Sequence, residues 1–417
     1  MGMKTLRASQ SCRHVYFALC VLSSVVVSGG ADAGDAIETP PTAKASVVLG
    51  QMANGGNYQV LSLVRSDGFL EIFTVQSSVG TFTVSGRQLL KRRINELNAI
   101  AALDKLSQTD LFTQSLVKSA ASPVKFGIDL LRNPFGTVDQ TVSGVTDAFG
   151  KIGAGAANPG GDPDGLAASA IGVSSAKRQL AAQLDVDPYT DFKPLSDKLN
   201  DIATTMALGG LGPKAAFSLI GGGVGMALSY SSTADGVRDL VRDKTPAQLI
   251  QINTQRLQAM GVDDRVAHAF LASDFYTITD QTRLIEALRQ LGNVDNRAVF
   301  VERAAEVNAR DLAFFLVRRA EMIADYQKTS RGAITHFFSA NGFPVNILAN
   351  GNALIIAPID LLAWSPTPLQ ALAAVSSGLR ADGKDKTVEL RISGSATPSA
   401  RLALKGMGWT VWEEKTN

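Results

Sequence analysis

Val345-Asn-Ile-Leu-Ala-Asn-Gly-Asn-Ala-Leu-Ile-Ile-Ala357 sets the class of the C-terminal part of the chain. Two β-prone runs, 345–349 and 352–357, flank Asn350-Gly351, the dipeptide whose backbone most readily accepts the positive φ of a two-residue hairpin turn. A helix is expected from Pro366 to about Leu379. Val388, Leu390 and Ile392 then alternate with Glu389 and Arg391, the pattern of a strand with one buried face. Thr397-Pro398 opens a short helix that Gly406 or Gly408 ends, and Trp409 to Trp412 returns as a strand. A strand-helix-strand unit of this kind closes as a parallel pair by a right-handed crossover. Residues 331–417 therefore read as a small α/β domain.

Upstream, residues 166–330 carry mostly helical signals. Phe192, Leu195, Leu199, Ile202 and Met206 step by three and four, which places them on one helix face. Thr245-Pro246 with Gln248 forms a capping-box signature, and Gly261 follows the end of that helix. Further amphipathic segments start near Asp263, Asp280 and Asn296, the last interrupted around Asn308 to Asp311. Before them, Tyr58–Arg65 and Phe69–Gln76 are β-prone runs joined through Asp67-Gly68. A third strand, Thr81–Ser85, completes a meander. Ser85 is placed to cap a helix bearing Leu90, Ile94, Leu97 and Ala101, and Lys91-Arg92-Arg93 reads as its solvated face. Residues 34–57 read as a flexible lead, 58–152 as the meander with amphipathic helices, and 153–165 as a Gly/Pro linker. The class is α+β and predominantly α: an N-terminal β-meander, a central helical domain and the C-terminal α/β domain.

The first 33 residues read as a signal peptide. Lys4, Arg7 and Arg13 precede an apolar run from Val15 to Val27, and Ala31-Asp32-Ala33 is an A-x-A cleavage pattern. Export and cleavage after Ala33 follow, to the periplasm or the medium, with a retained N-terminal anchor as the alternative. Of 40 Lys and Arg three leave with this segment, and of 38 Asp and Glu one leaves, so 37 of each remain. A balanced chain lacks the positive field that nucleic-acid binding needs. Both cysteines, Cys12 and Cys20, also leave, which excludes a disulfide partner and thiol chemistry. Only His268 and His336 remain, too few for a multi-histidine metal site; no cofactor is implied.

Two apolar stretches pose the sharpest choice. Phe135, Val138, Val142, Val145, Phe149 and Ile152 form a helical seam behind Asn133-Pro134. Ser218–Ser229, SLIGGGVGMALS, lies in an uncharged run from Ala215 to Ala234, with Gly221, Gly225 and Ser229 four apart. It has no phosphate-loop pattern. Its strongly apolar part, 215–228, is short for a span. Close packing within a soluble helical domain is the first expectation, and contact with a lipid surface or partner protein the second.

Among polar motifs, Ser393, Gly394, Ser395 and Thr397 join a strand to a helix N-terminus. There free N–H groups and the dipole favour an anion, although Thr397 as an ordinary N-cap explains the turn equally. Ser174-x-x-Lys177 and Ser115-x-x-Lys118 match a serine-nucleophile spacing too common to carry weight. Asp185, Asp187 and Asp191 serve turns and caps, with an oxygen-only calcium site as the alternative. Asp162, Asp164 and Gly165 imitate the start of a calcium loop that Val173 fails to complete.

The segments Asp187–Leu195, DPYTDFKPL, and Gly394–Trp409, which holds GSATPSAR and closes on GW, resemble those of a group of exported bacterial proteins of unknown function. The resemblance implies export and transfers no catalytic residue. The expectation is an exported cell-envelope protein with a non-catalytic binding or structural role. Its alternatives are a membrane-associating protein using 135–152 and 215–228, and an exported hydrolase with serine or carboxylate chemistry.

Overall fold

The computed structural model describes residues 37–120, 166–212, 233–329, 333–381 and 386–414. In these the chain is a mostly helical α+β protein: an N-terminal antiparallel sheet, central helices, and a C-terminal mixed sheet with helices. The expected signal peptide, Asp162 to Gly165 and the expected linker lie outside the described residues. So do Phe135, Val138, Val142, Val145, Phe149, Gly221 and Gly225.

The N-terminal sheet holds β1 (Asn54–Gly55), β2 (Tyr58–Val60), β3 (Arg65–Ser66), β4 (Glu71–Ser77) and β5 (Gly80–Ser85). β4 is central and pairs antiparallel with β2, β3 and β5. The expected meander is present, but its first strand is split into β2 and β3 around Leu63, whose φ is 78°. Beyond that break Val64 bridges Ala43, so the preceding segment is fastened to the sheet. Residues 37–57 accordingly hold α1 (Ala45–Leu49) and a 3-10 turn, with Ala45 and Ala53 buried.

Two expectations about the next helix, α2 (Arg87–Ser107), are corrected. Gly86, not Ser85, is its N-cap, and its φ of 93° suits glycine. The cap acceptor comes from the other end of the chain: Asp360 Oδ2 accepts from Arg87 N at 3.0 Å and from Glu71 N at 3.1 Å. The supposed solvated face is also wrong, because Arg92 and Arg93 are buried.

The central helices are α3 (Asp110–Ala120), α4 (Leu166–Gln183), α5 (Lys193–Gly209), α6 (Thr233–Asp243), α7 (Pro246–Ala259), α8 (Asp264–Leu271), α9 (Ile278–Arg289), α10 (Ala298–Ala305) and α11 (Arg310–Lys328). Leu195, Leu199, Ile202 and Met206 of α5 are buried against Leu103, Leu106, Leu180 and Leu184, as their spacing requires. The capping box of α7 is complete, with Thr245 and Gln248 each accepting from the other's backbone N–H. The break expected near Asn308 separates α10 from α11. Among the described residues no helix is long and apolar enough to cross a membrane.

The C-terminal sheet has the order β12-β10-β8-β7-β6. β6 (Ile334–Ala340), β7 (Phe343–Leu348) and β8 (Ala353–Ala357) are antiparallel neighbours, and Asn346 lies opposite Leu354 across the expected hairpin. β10 (Val388–Ile392) runs parallel to β8 and, on its other side, to β12 (Trp409–Glu413). α12 (Pro366–Arg380) and α13 (Pro398–Gly406) make the two crossovers. Short β9 (Leu361–Leu362) and β11 (Ser395–Ala396) pair beyond the strand ends. β8 is buried at all five residues, as in a strand covered on both faces. One apolar cluster contains Leu284, Phe300 and Leu316 together with Phe337, Ile355 and Leu390, so α9 to α11 and the sheet share a core.

The interior between α2, α9, α11 and the loop 184–192 is charged. Arg92 reaches Asp280 at 3.0 Å, Asp187 at 2.9 Å and Glu96 at 3.5 Å. Arg93 reaches Glu96 and Asp191, both at 2.6 Å. Arg310 holds Asp191 and Asp280, each at 2.8 Å. Arg283 joins Asp280 at 3.5 Å and Glu321 at 2.8 Å, and Arg318 also pairs with Glu321. Phe314 sits under both Arg92 and Arg283. Five arginines thus face five carboxylates. Thr277 and Thr279 hydroxyls and the Tyr189 N–H fill the remaining sites on Asp187. Within the segment 185–191, Asp185, Asp187 and Asp191 each pair with arginine guanidinium groups.

Burial raises the Asp280 carboxyl, but Arg92, Arg310 and Arg283 outweigh it and hold it down to about 2. A depressed carboxyl contributes stability above its ordinary value of 3.8, and that stability is lost as pH falls toward 2. Asp280→Ala leaves buried Arg92 and Arg283 and partly exposed Arg310 short of a partner and should cost about 3–5 kcal/mol in urea unfolding at neutral pH. The loss should shrink at pH 2 to 3, where the wild-type carboxylate is itself being protonated.

Candidate binding edge and strand ends

In sheets with parallel strands, ligands commonly sit beyond the carboxyl ends of the strands. Here that position collects Asp360 after β8, the Ser393–Thr397 turn after β10, and Glu413 at the end of β12. The chain itself fills it. Glu38 accepts from Trp364 N at 2.5 Å and from the Thr397 hydroxyl, while Glu38 N donates to Trp364 O at 2.9 Å. Thr397 also accepts from Ala400 N at 3.1 Å, so it is the N-cap of α13. Ser393 Oγ donates to Ile359 O at 3.1 Å. Ser395 N donates to Asp360 O at 3.1 Å within the β9–β11 pairing. Gly394 is where backbones meet: an added Cβ would lie 1.9 Å from Asp360 O. The sequence-derived anion position therefore exists as a helix N-terminus, and the carboxylate at it is Glu38.

Other sequence-derived candidates are dispersed. His268 is exposed on α8, and His336 lies within strand β6, 3.0 Å from the Thr335 hydroxyl. Ser174 accepts from Arg178 at 2.7 Å. Burial lowers the Lys177 ammonium, with Asp187 and Asp197 acting against it. Ser115 donates to the Leu111 carbonyl at 3.0 Å.

Sequence reasoning found strand Trp409–Trp412 but not its place at the edge of the sheet. Among the described residues β12 pairs with β10 alone. Glu414 N donates to Ile392 O, so by alternation Thr410 and Trp412 turn their backbone groups toward β10. Trp409, Val411 and Glu413 turn theirs to the open side. An open groove of about 450 Å³ runs along this edge, walled by Arg401 and Lys405 of α13 and floored by β12. Trp412 is 50 % exposed, and its ring lies 5.2 Å from the Arg391 guanidinium. Arg401 is tied to Glu413 by bonds of 2.6 and 2.8 Å, whereas Lys405 has no ion pair among the described residues. Outward N–H and C=O groups, an exposed indole and a free cation suit an extended segment carrying an acidic residue. The signal was present in WTVWE, where two tryptophans sit on opposite strand faces, but strand order is invisible in sequence.

Comparison with protein-family models, with curated proteins and with solved structures gave no match to this chain.

Asp360 is the most perturbed carboxyl near the strand ends. Burial raises it to about 7, against the lowering effect of the two backbone N–H groups it accepts from. The native state therefore keeps a proton that the unfolded chain releases near 3.8. Stability from this group is full below that value and is lost as pH rises toward 7. Asp360→Asn, which still accepts both N–H bonds, should flatten that limb. Unfolding free energies from urea titrations should match wild type at pH 4 and exceed it at pH 8, by on the order of a few kcal/mol.

Proposed function

We propose that the protein is an exported component of the bacterial cell envelope with a non-catalytic binding role, and that it captures an extended partner segment on β12. The observation that carries this reading is the open β12 edge beside Trp412 and Lys405. Unpaired strand edges are usually short, charged or covered, because they recruit other chains. This edge instead presents three residues' backbone groups next to a half-exposed indole. The export part rests on the leader pattern of residues 1–33; mass analysis of the envelope fraction should find a chain beginning at Gly34, and an intact leader on cytosolic protein would overturn it.

Val411→Pro removes an outward N–H that β10 does not use, and proline is tolerated on such an edge. Displayed random heptapeptides should yield acidic, β-prone binders to wild type. Val411→Pro should lose them by tenfold or more with an unchanged melting midpoint. Equal binding by the variant, or no enrichment by wild type, overturns the edge as the site.

A second reading, membrane association through 135–152 and 215–228, is favoured by the placement of the flanking helices. Gly209 packs so closely on Ser115 that an added Cβ would lie 2.4 Å from its carbonyl oxygen, and Val173 and Ala176 pack on Ala203. The end of α3, the start of α4 and the end of α5 therefore share one end of the helical layer, where α3 exposes Leu116 and Val117. On this reading the mature chain floats with liposomes, and Leu116→Asp with Val117→Asp reduces the floated fraction severalfold. A chain that stays in the soluble fraction at both neutral and acid pH counts against it.

A further inference from the structure

Arg319 of α11 is the largest fully buried side chain among the described residues, and it has no carboxylate partner there. Its Nε donates to Ile356 O at 2.8 Å and its Nη2 to Pro344 O. Proline explains the geometry: Pro344 lies two residues from Asn346 on β7, opposite Ile356 of β8, and has no N–H to offer across the ladder. The guanidinium supplies the missing donor. It lies between two rings, 4.1 Å from the centre of Phe343 and 5.5 Å from that of Phe300.

Two carbonyls and two aromatic faces leave part of the group unsatisfied. Among the described residues Arg319 Nη1 has no hydrogen-bond partner, and neither polar atom of Asn346 has one, although Asn346 is completely buried. Strand alternation puts Asn346 on the same face of β7 as Pro344, whose carbonyl the guanidinium holds. Asn346 is two residues from Pro344, and its cross-strand neighbour Phe337 packs on Phe300, the ring that also carries Arg319. Burial lowers Arg319 to about 9, and Arg303 pushes in the same direction, so the side chain still bears its charge at neutral pH. A buried charge without a counter-charge is costly, and orphan donors beside it add to that cost.

We propose that Arg319 Nη1 and the Asn346 amide form an internal site for one small monovalent anion of the halide class. The donor set is cationic and amide N–H, the surroundings are phenylalanine rings, and the other charge acting on the site is positive. Water satisfies donors but leaves the charge uncompensated. A halide does both, and weakly hydrated chloride or bromide loses less on burial than fluoride. The site lies in the core that α11 shares with β7 and β8, away from the β12 edge, so it stands independently of the binding role proposed above.

The test uses the full mature chain purified in sodium gluconate and titrated with chloride, bromide or fluoride at constant ionic strength. Thermal midpoint and chloride-35 NMR line width are the two readouts. Chloride and bromide should raise the midpoint by about 2–6 °C in a saturable manner. Chloride-35 lines should broaden, and bromide should compete the broadening away. Asn346→Leu keeps the arginine and the core volume, and should abolish the saturable shift and at least halve the broadening. Arg319→Met removes the charge as well; if it folds, its midpoint should no longer respond to halide. A midpoint equal in gluconate and chloride, without broadening, means buried water only and overturns the proposal. An unchanged response in Asn346→Leu places the anion elsewhere and overturns it too.

Discussion

The carboxylate of Asp280 is the point on which the architecture turns. It is nearly inaccessible to water and faces Arg92 from α2, Arg283 from its own helix and Arg310 from α11. Three segments far apart in sequence cannot bury their charges unless they meet there. A lone guanidinium in that position would cost several kcal/mol, and each carboxylate alone would take up a proton instead. Together they form a closed set with Glu96, Asp187, Asp191 and Glu321. The requirement is mutual, so the network sets position more than it adds net stability. It specifies how α2, the loop at 184–192, α9 and α11 lie relative to one another. The apolar stripes of those helices would tolerate several neighbouring arrangements.

The two ends of the described chain are joined by a second polar constraint. Glu38 bridges Trp364 and Thr397, and Asp360 accepts from Glu71 and from the first N–H of α2. Gly394 lets the β10–α13 connection pass against the Asp360 backbone. The carboxyl ends of the parallel strands, a common ligand position, thereby become an internal joint. That is why the hydroxyl-rich turn at 393–397 is consumed by structure and why attention moves to the strand edge, where backbone groups remain unpaired. The two sets of carboxyls respond oppositely to pH. Asp280 is lowered by arginines and Asp360 is raised by burial, so the network weakens below about pH 4 and the joint weakens as pH rises toward 7.

How far the sequence could be read depended on the range of each interaction. The hairpin at Asn350-Gly351, the α7 capping box and the α5 stripe are local patterns, and each was legible. β6 does not figure in the sequence reading, although Asn341-Gly342, with φ of 50° and 79°, is another Asn-Gly turn of the same local kind. The burial of Arg92 and Arg93 was not legible, because a charge run looks the same whether it faces water or carboxylates spread through the sequence at Glu96, Asp187, Asp191 and Asp280. Ser85 was misassigned as a cap because the true acceptor, Asp360, has no sequence relation to α2. The edge position of β12 and the orphaned Arg319 were hidden for the same reason.

Periodicity and turn chemistry by themselves determined the α+β class, the helical stripes, the β10–α13–β12 crossover unit and the caps at Thr245 and Thr397, because those depend largely on residues within one or two turns of each other. Strand order, the fate of buried charges and the occupant of the strand ends were decided only in three dimensions. A side chain's ionisation and partners depend on what lies within a few ångströms, and for these groups that neighbourhood is assembled from both ends of the chain.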